Sequence, residues 1–201
     1  MKNNWTCSEG SIVMVVLAVT LLQAYDRDAE ARKQDMDRIF VQQCLVDKSA
    51  MACIMIAKNA TTSETADMFY EYACKADDVD SCIRSAGLAR GIRKKLEFYE
   101  KACELNSGKA CNKIGLAYGN GDEIRADYNK AVTYYKKSCK NSYGYGCYNL
   151  VIAYQKGKMV KQNYSLAEKY AKQAKKLFAK DCDQRDSDAC KRYKELLDAG
   201  F

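Results

Sequence analysis

Apolar residues recur every three or four positions along much of this sequence, and this spacing predicts α-helices. In 128–139 the apolar or aromatic positions are Tyr128, Ala131, Val132, Tyr135 and Cys139. In 164–178 they are Leu166, Ala167, Tyr170, Ala171, Ala174, Leu177 and Phe178, with lysines between them. Because residues three and four apart share one face of an α-helix, each stretch is predicted to be amphipathic.

Cysteine positions repeat along the chain and divide it into similar units. After Cys7, the other ten of the eleven cysteines form five close pairs: Cys44/Cys53, Cys74/Cys82, Cys103/Cys111, Cys139/Cys147 and Cys182/Cys190. The first cysteines of successive pairs are 30, 29, 36 and 43 residues apart, and no C-x-x-C motif occurs. Eleven cysteines at such spacing favour local disulfides in an oxidising compartment over buried thiols, a zinc site or a thioredoxin-type redox site. The spacing grows by seven residues at a time, from 29 to 36 to 43. Seven residues are about two helical turns, which favours helical units.

These patterns predict an all-α fold of ten helices in five antiparallel pairs. Small or polar residues mark turns at 106–108, 120–121 and 141–146. In each pair, one cysteine lies near the end of the first helix and the other in the first turn of the second, so a disulfide is predicted to cross each hairpin. The predicted units are approximately 30–60, 61–90, 91–121, 122–158 and 159–201. Because one hairpin cannot bury its apolar face alone, the units are expected to stack within a domain spanning 26–201.

Residues between the cysteine pairs resemble a known repeat. In 115–150 they are Gly115, Tyr118, Gly121, Ile124, Asp127, Lys130, Ala131, Tyr134, Tyr135, Lys137, Cys139, Gly146, Cys147, Asn149 and Leu150. A shift of 36 residues recovers Tyr154, Gly157, Val160, Asn163, Ala167 and Tyr170. This pattern resembles the Sel-one-like repeat, a helix-turn-helix unit related to the tetratricopeptide repeat. The paired cysteines resemble those of the secreted cysteine-rich Helicobacter proteins, whose repeats carry a disulfide across each helix pair.

The resemblance implies an α/α solenoid, a superhelix like that of tetratricopeptide repeats, with a concave surface that binds protein or peptide partners. The groove is expected to be lined by the first helices of successive units, such as 92–102, 128–138 and 164–178. The leading hypothesis is therefore a non-catalytic binding or adaptor protein, acting as a monomer. Turn carboxylates such as Asp122, Glu123 and Asp127 are expected to form turns and cap helices rather than bind metal.

Enzyme activity is an alternative that rests on the resemblance alone, because some relatives are described as penicillin-binding or β-lactam-hydrolysing. The chain has no His, which excludes a Ser–His–Asp triad and His-ligated zinc. No Ser is followed by Lys at the third position, so the S-x-x-K element of serine β-lactamases is missing. Thiol-redox assembly is a third hypothesis. The sequence singles out no catalytic residue, cofactor or metal site.

The N-terminus predicts export. Residues 11–24 form a 14-residue apolar run, which has the size of a signal-peptide core and is short for a membrane span. Residues 1–25 are therefore predicted to be a signal peptide or, if uncleaved, a membrane anchor through 11–24. The expected location is secreted or periplasmic, with a membrane-anchored form facing the periplasm and the mitochondrial intermembrane space as alternatives.

Positive charge is concentrated toward the C-terminus of a chain with a formal net charge of +7. The lysines at Lys169, Lys172, Lys175 and Lys176 form a candidate basic binding face, alongside the simpler interpretation of a solvated helix surface. Such a face would suit an acidic protein or an anionic cell-envelope polymer. Nucleic acid is not an expected partner, because no nucleic-acid motif accompanies the lysines.

Overall fold

The computed structural model describes residues 33–201, which form ten α-helices and no β-strand. The first, α1, covers 33–45 of the described chain. The others are α2 Ala50–Asn59, α3 Ser63–Lys75, α4 Val79–Leu88, α5 Ile92–Glu104, α6 Gly108–Asn120, α7 Tyr128–Lys140, α8 Gly144–Lys156, α9 Tyr164–Asp183 and α10 Ser187–Asp198. The all-α prediction is confirmed, whereas the signal peptide or anchor predicted for 1–25 lies outside the described residues.

Successive helices pair into five hairpins, and one disulfide crosses each hairpin as predicted. The bonds join Cys44 to Cys53, Cys74 to Cys82, Cys103 to Cys111, Cys139 to Cys147, and Cys182 to Cys190. The paired Cα atoms are 4.5 to 4.8 Å apart. Each bond therefore holds the end of the first helix, here called the A helix, against the first turn of the second, the B helix.

Helix ends follow local chemistry that repeats from unit to unit. Gly121 and Gly157 end α6 and α8 in the left-handed region, where a side chain is disfavoured. The Asp127 carboxylate then accepts a hydrogen bond from the Lys130 amide at 3.0 Å, and Asn163 caps α9 in the same way. The turn and capping role expected for Asp127 is therefore present.

Small buried residues allow neighbouring helices to approach closely. Ala131, Ala167 and Ala102 are fully buried, as are Ala171 and Ala174 of α9. Gly146 of α8 faces Ser138 of α7, whose hydroxyl donates to the Gly108 carbonyl oxygen at 2.7 Å. The core thus continues from one hairpin to the next.

One helix boundary and one of the two seven-residue increases in cysteine spacing differ from the sequence expectation. Helix α8 begins at Gly144, inside the turn predicted for 141–146, because the tight hairpin turn needs only Asn141, Ser142 and Tyr143. The increase in cysteine spacing from 36 to 43 residues lengthens a helix by two turns, as expected, because α9 has 20 residues where α7 has 13. The increase in cysteine spacing from 29 to 36 residues is instead divided between a helix and a loop. The B helix α6 is longer than α4, and the loop before α7 is longer than the loop before α5. Among residues 33–201, no helix has the length and apolar character required to cross a membrane.

Candidate binding surface

Two stacked tyrosines form the floor of a cleft between α5 and α7. Tyr118, near the end of α6, lies against Tyr134 in the middle of α7, with ring centroids 6.1 Å apart and planes 9° from parallel. The Lys130 ammonium lies 5.0 Å from the Tyr118 ring centroid, and that of Lys137 lies 5.3 Å from the Tyr134 centroid. Each ring therefore has a cation over it, within the range of a cation–π contact.

The cleft contains two adjoining hollows that share Tyr118, Asp127 and Lys130. One has a volume of about 570 Å³, and its remaining lining is Leu96, Ile124, Arg125 and Ala126. The other has about 440 Å³, and its remaining lining is Glu100, Asn129, Thr133, Tyr134 and Lys137. The cleft is thus mainly apolar near the loop before α7 and polar along α7.

Tyr134 remains a neutral hydrogen-bond donor at the floor of the cleft. Its hydroxyl donates to the Glu100 carboxylate at 3.5 Å. Burial raises the pKa of Tyr134 above its ordinary value, and the negative charge of Glu100 raises it further. The hydroxyl therefore keeps its proton throughout the neutral range.

Helix α7 contributes lysines that form no ion pair, although the Asp127 and Glu100 carboxylates line the same cleft. It carries Lys130, Lys136, Lys137 and Lys140 and has no acidic residue. None of these four lysines forms an ion pair with another described residue. In α5, by contrast, Lys94 pairs with Glu71, Lys95 with Glu123 at 3.7 Å, and Lys101 with Asp77 at 2.6 Å.

Helix α9 places three of the four lysines singled out in the sequence on one exposed face. Lys169, Lys172 and Lys176 are exposed at helical spacing, and Lys172 pairs with Glu168 at 2.8 Å. The Lys172 contact lowers the pKa of Glu168 below its ordinary value. Lys175 is half-buried and donates to the Phe201 carbonyl oxygen, so it points away from the other three.

The exposed faces of α7 and α9 adjoin. Gln173, between Lys172 and Lys176 on the exposed side of α9, has its Oε1 atom 3.3 Å from the Cys139 sulfur of α7. We use the term "basic surface" for the exposed lysines of the two helices: Lys130, Lys136, Lys137, Lys140, Lys169, Lys172 and Lys176. The sequence analysis placed 128–138 in the expected groove but did not assign the α7 lysines to the basic face, although 128–140 has no acidic residue.

Other candidate chemistry in the sequence has structural roles here. Glu123 pairs with Lys95, and Asp127 caps α7. Within the described part of the chain, no cluster of Cys, Asp or Glu side chains is arranged to hold a metal ion.

Comparisons with known proteins agree with this architecture. A family model, the Sel1 repeat, matches residues 96–107, 108–143 and 144–177. Cysteine-rich protein B of Helicobacter pylori is 31% identical over 63% of this chain and 91% of its own, with a TM-score of 0.49. The chain belongs to the Sel1-repeat family. No curated protein matches it.

Two further solved structures share the fold of this Sel1-repeat protein. A Sel1-repeat protein from Oxalobacter formigenes is 16% identical over 83% of this chain and 87% of its own, with a TM-score of 0.57. The protective antigen c5321 of uropathogenic Escherichia coli, which displays an SLR fold, is 14% identical over 82% of this chain and 37% of its own, with a TM-score of 0.60. Sel1-repeat proteins generally mediate protein–protein interactions. The five disulfides indicate an oxidising compartment.

Proposed function

We propose that this Sel1-repeat protein is an exported, non-catalytic scaffold that binds an acidic segment of a protein partner along α5, α7 and α9. The observation that carries the proposal is that Lys130 and Lys137 of α7 lie over the Tyr118–Tyr134 floor and form no ion pair with another described residue. Uncompensated charge at the rim of a groove attracts and orients an oppositely charged partner. The aromatic floor supplies contact area that loses little side-chain entropy on binding.

The hollows also favour an extended peptide. Along α7, the distance from Asp127 to Lys137 is about 15 Å, which equals the length of about four or five extended residues. An aliphatic side chain of the partner would fit the Leu96 and Ile124 end, and carboxylates would face Lys130 and Lys137. Location in a secreted or periplasmic compartment is part of the proposal and is supported by the disulfides.

The test uses the oxidised protein and a fluorescein-labelled peptide of alternating Glu and Leu. A peptide of alternating Lys and Leu is the probe control. We expect Lys130→Glu combined with Lys137→Glu to weaken binding of the acidic peptide by about tenfold or more, with a strong dependence on salt. Lys109→Glu combined with Lys113→Glu is the matched control, because these exposed lysines of α6 give the same change in net charge.

Three outcomes would overturn the proposal. Equal weakening by both double variants would assign binding to net charge alone. Strong binding of polygalacturonate at the same lysines, without binding of the acidic peptide, would instead favour an anionic cell-envelope polymer. Steady turnover of a chromogenic cephalosporin by the oxidised protein would assign the hydrolase alternative.

A further inference from the structure

The tip of the first hairpin is apolar and exposed. Leu45 lies at the end of α1, Val46 follows it, and Met51 lies in the first turn of α2. Their exposed fractions are 46%, 68% and 69%. Because the Cys44–Cys53 bond lies directly beneath them, the three side chains project from a covalently closed turn.

The other four hairpins provide an internal comparison. The residue after the first cysteine is Leu45 in the first hairpin but charged in the rest: Lys75, Glu104, Lys140 and Asp183. The residue two before the second cysteine is Met51 in the first hairpin, and its counterparts are Asp80, Lys109, Tyr145 and Asp188. The hairpin geometry therefore does not require apolar residues at these positions.

The apolar surface continues from the tip along the outside of the hairpin. Antiparallel pairing about Cys44 and Cys53 places Leu45 level with Ala52, next to Met51, and, one turn further, Val41 level with Ile56, next to Met55. Val41 and Met55 are both exposed. They line an open hollow of about 310 Å³ together with Phe40 and Ile56, and its polar lining residues are Asp37, Asn59, Thr61 and Thr65. Terminal units of solenoids normally have a polar outer face, as the charged exterior of α10 illustrates.

We propose that this apolar tip, defined as Val41, Leu45, Val46, Met51 and Met55, inserts into the interfacial region of a lipid bilayer. The sequence has the apolar run 11–24 only eight residues before the described part of α1, and eight residues extend at most about 26–29 Å. Leu45 lies 12 residues beyond the start of the described part of α1, which is about 18 Å along the helix. Because this is less than the extended length of the eight residues, the tip could contact a bilayer that held this run if the linker turned back along α1. The same turn carries one charge of each sign, Asp47 and Lys48, both exposed, and Lys48 is placed to contact lipid phosphate.

A second copy of the chain is the weaker occupant. Five side chains are far fewer than the roughly 20–30 residues that each partner contributes to a stable protein interface. A bilayer interface, by contrast, accommodates a few apolar side chains at a time, with binding that grows with the apolar area buried. Flexible methionines also adapt to irregular surroundings such as lipid chains.

Methionine oxidation in the full chain tests the proposal. The oxidised protein is mixed with vesicles of phosphatidylethanolamine and phosphatidylglycerol and treated with dilute hydrogen peroxide, and sulfoxide formation is followed by peptide mass spectrometry. Met68 of α3, exposed to 46%, is the internal reference. Because oxidation follows exposure, we expect vesicles to slow Met51 relative to Met68 by roughly fivefold or more.

A variant with polar residues from the other hairpins sharpens the test. The variant combines Leu45→Lys, which copies Lys75 of the second hairpin, with Val46→Gln, which copies Gln184 of the fifth. Met51 is unchanged and reports on exposure. We expect Met51 of this variant to lose its protection on vesicles, whereas Leu197→Lys on α10 should keep it. An unchanged ratio of Met51 to Met68 oxidation with and without vesicles would overturn the proposal. Protection of Met51 in the absence of vesicles would also overturn the proposal. Protection that grows with protein concentration would assign the apolar tip to contact with a second copy of the chain. Protection independent of concentration would assign it to contact with another part of the same chain.

Discussion

Tyr118 and Tyr134 stack across the boundary between two hairpins, and the same arrangement returns 36 residues later. Tyr154 of α8 and Tyr170 of α9 have ring centroids 5.8 Å apart and planes 6° from parallel. In both cases a B-helix tyrosine meets an A-helix tyrosine of the next unit. The stack is therefore a repeated connection between units, and within residues 33–201 only its first copy has lysines over both rings.

A double-mutant cycle measures this connection. We expect Tyr118→Leu and Tyr134→Leu each to lower the free energy of unfolding, with a coupling of about 0.5–1.5 kcal/mol between them, because aromatic pairs contribute beyond the area they bury. Urea unfolding followed by circular dichroism provides the measurement. A cycle at Tyr154 and Tyr170 should give a similar coupling, and additive single effects at both sites would contradict the prediction.

Gly146 is predicted to be intolerant of even a methyl group. A Cβ atom there would collide with the Ser138 side chain and lie 2.8 Å from the Cys139 backbone nitrogen. Because that backbone cannot move without disturbing α7, Gly146→Ala should lower the free energy of unfolding by about 1–3 kcal/mol. Equilibrium urea unfolding of the oxidised protein measures the change.

Gly87 is the matched control for this substitution. It is an exposed glycine in α4, and an added Cβ would meet no atom within 4 Å. Gly87→Ala should therefore leave stability unchanged or raise it by about 0.4–1 kcal/mol, since alanine restricts the unfolded chain. Equal losses for both variants would show that the Gly146 packing is not the cause.

Stability is expected to fall at alkaline pH because of a buried tyrosine. Burial raises the pKa of Tyr135 from its ordinary value of 10.0 to about 12. Both states hold the proton below pH 10, whereas between pH 10 and 12 only the folded state does, so raising the pH favours unfolding. The loss from this side chain should reach about 2–3 kcal/mol near pH 12. Urea unfolding between pH 8 and about 11.5 should show it, and Tyr135→Phe should make the decline shallower.

The fold could be predicted from the sequence because two independent periodicities agree. The spacing of Cys103 and Cys111 locates a hairpin turn, and the apolar positions around Tyr135 define the helix faces that pack beside it. Both patterns depend on local geometry that a single sequence records. The end of α9 was harder to locate, because its helix continues beyond the apolar stretch to Asp183.

The candidate surface was only partly predictable, because side-chain partners depend on distant elements. Lys169, Lys172 and Lys175 look equivalent in sequence, yet Lys175 turns to Phe201. Lys94 resembles the α7 lysines in sequence but is paired with Glu71 of a different helix. Which lysines lack a partner is therefore decided by the stacking of units, which spacing alone does not reveal.

The disulfide between Cys182 and Cys190 is predicted to be reduced first. Both of its cysteines are half-buried, whereas Cys53, Cys82, Cys111 and Cys147 give every other pair a fully buried member. Because thiolate attack requires access to a sulfur atom, graded dithiothreitol should release Cys182 and Cys190 at the lowest concentration. Alkylation followed by peptide mass spectrometry gives the order, and Cys74–Cys82, both members buried, is the internal control. Release of Cys74 and Cys82 first would contradict the prediction. Reversible release and reoxidation of the Cys182–Cys190 pair, with transfer of its disulfide to a reduced substrate protein, would instead support the thiol-redox alternative.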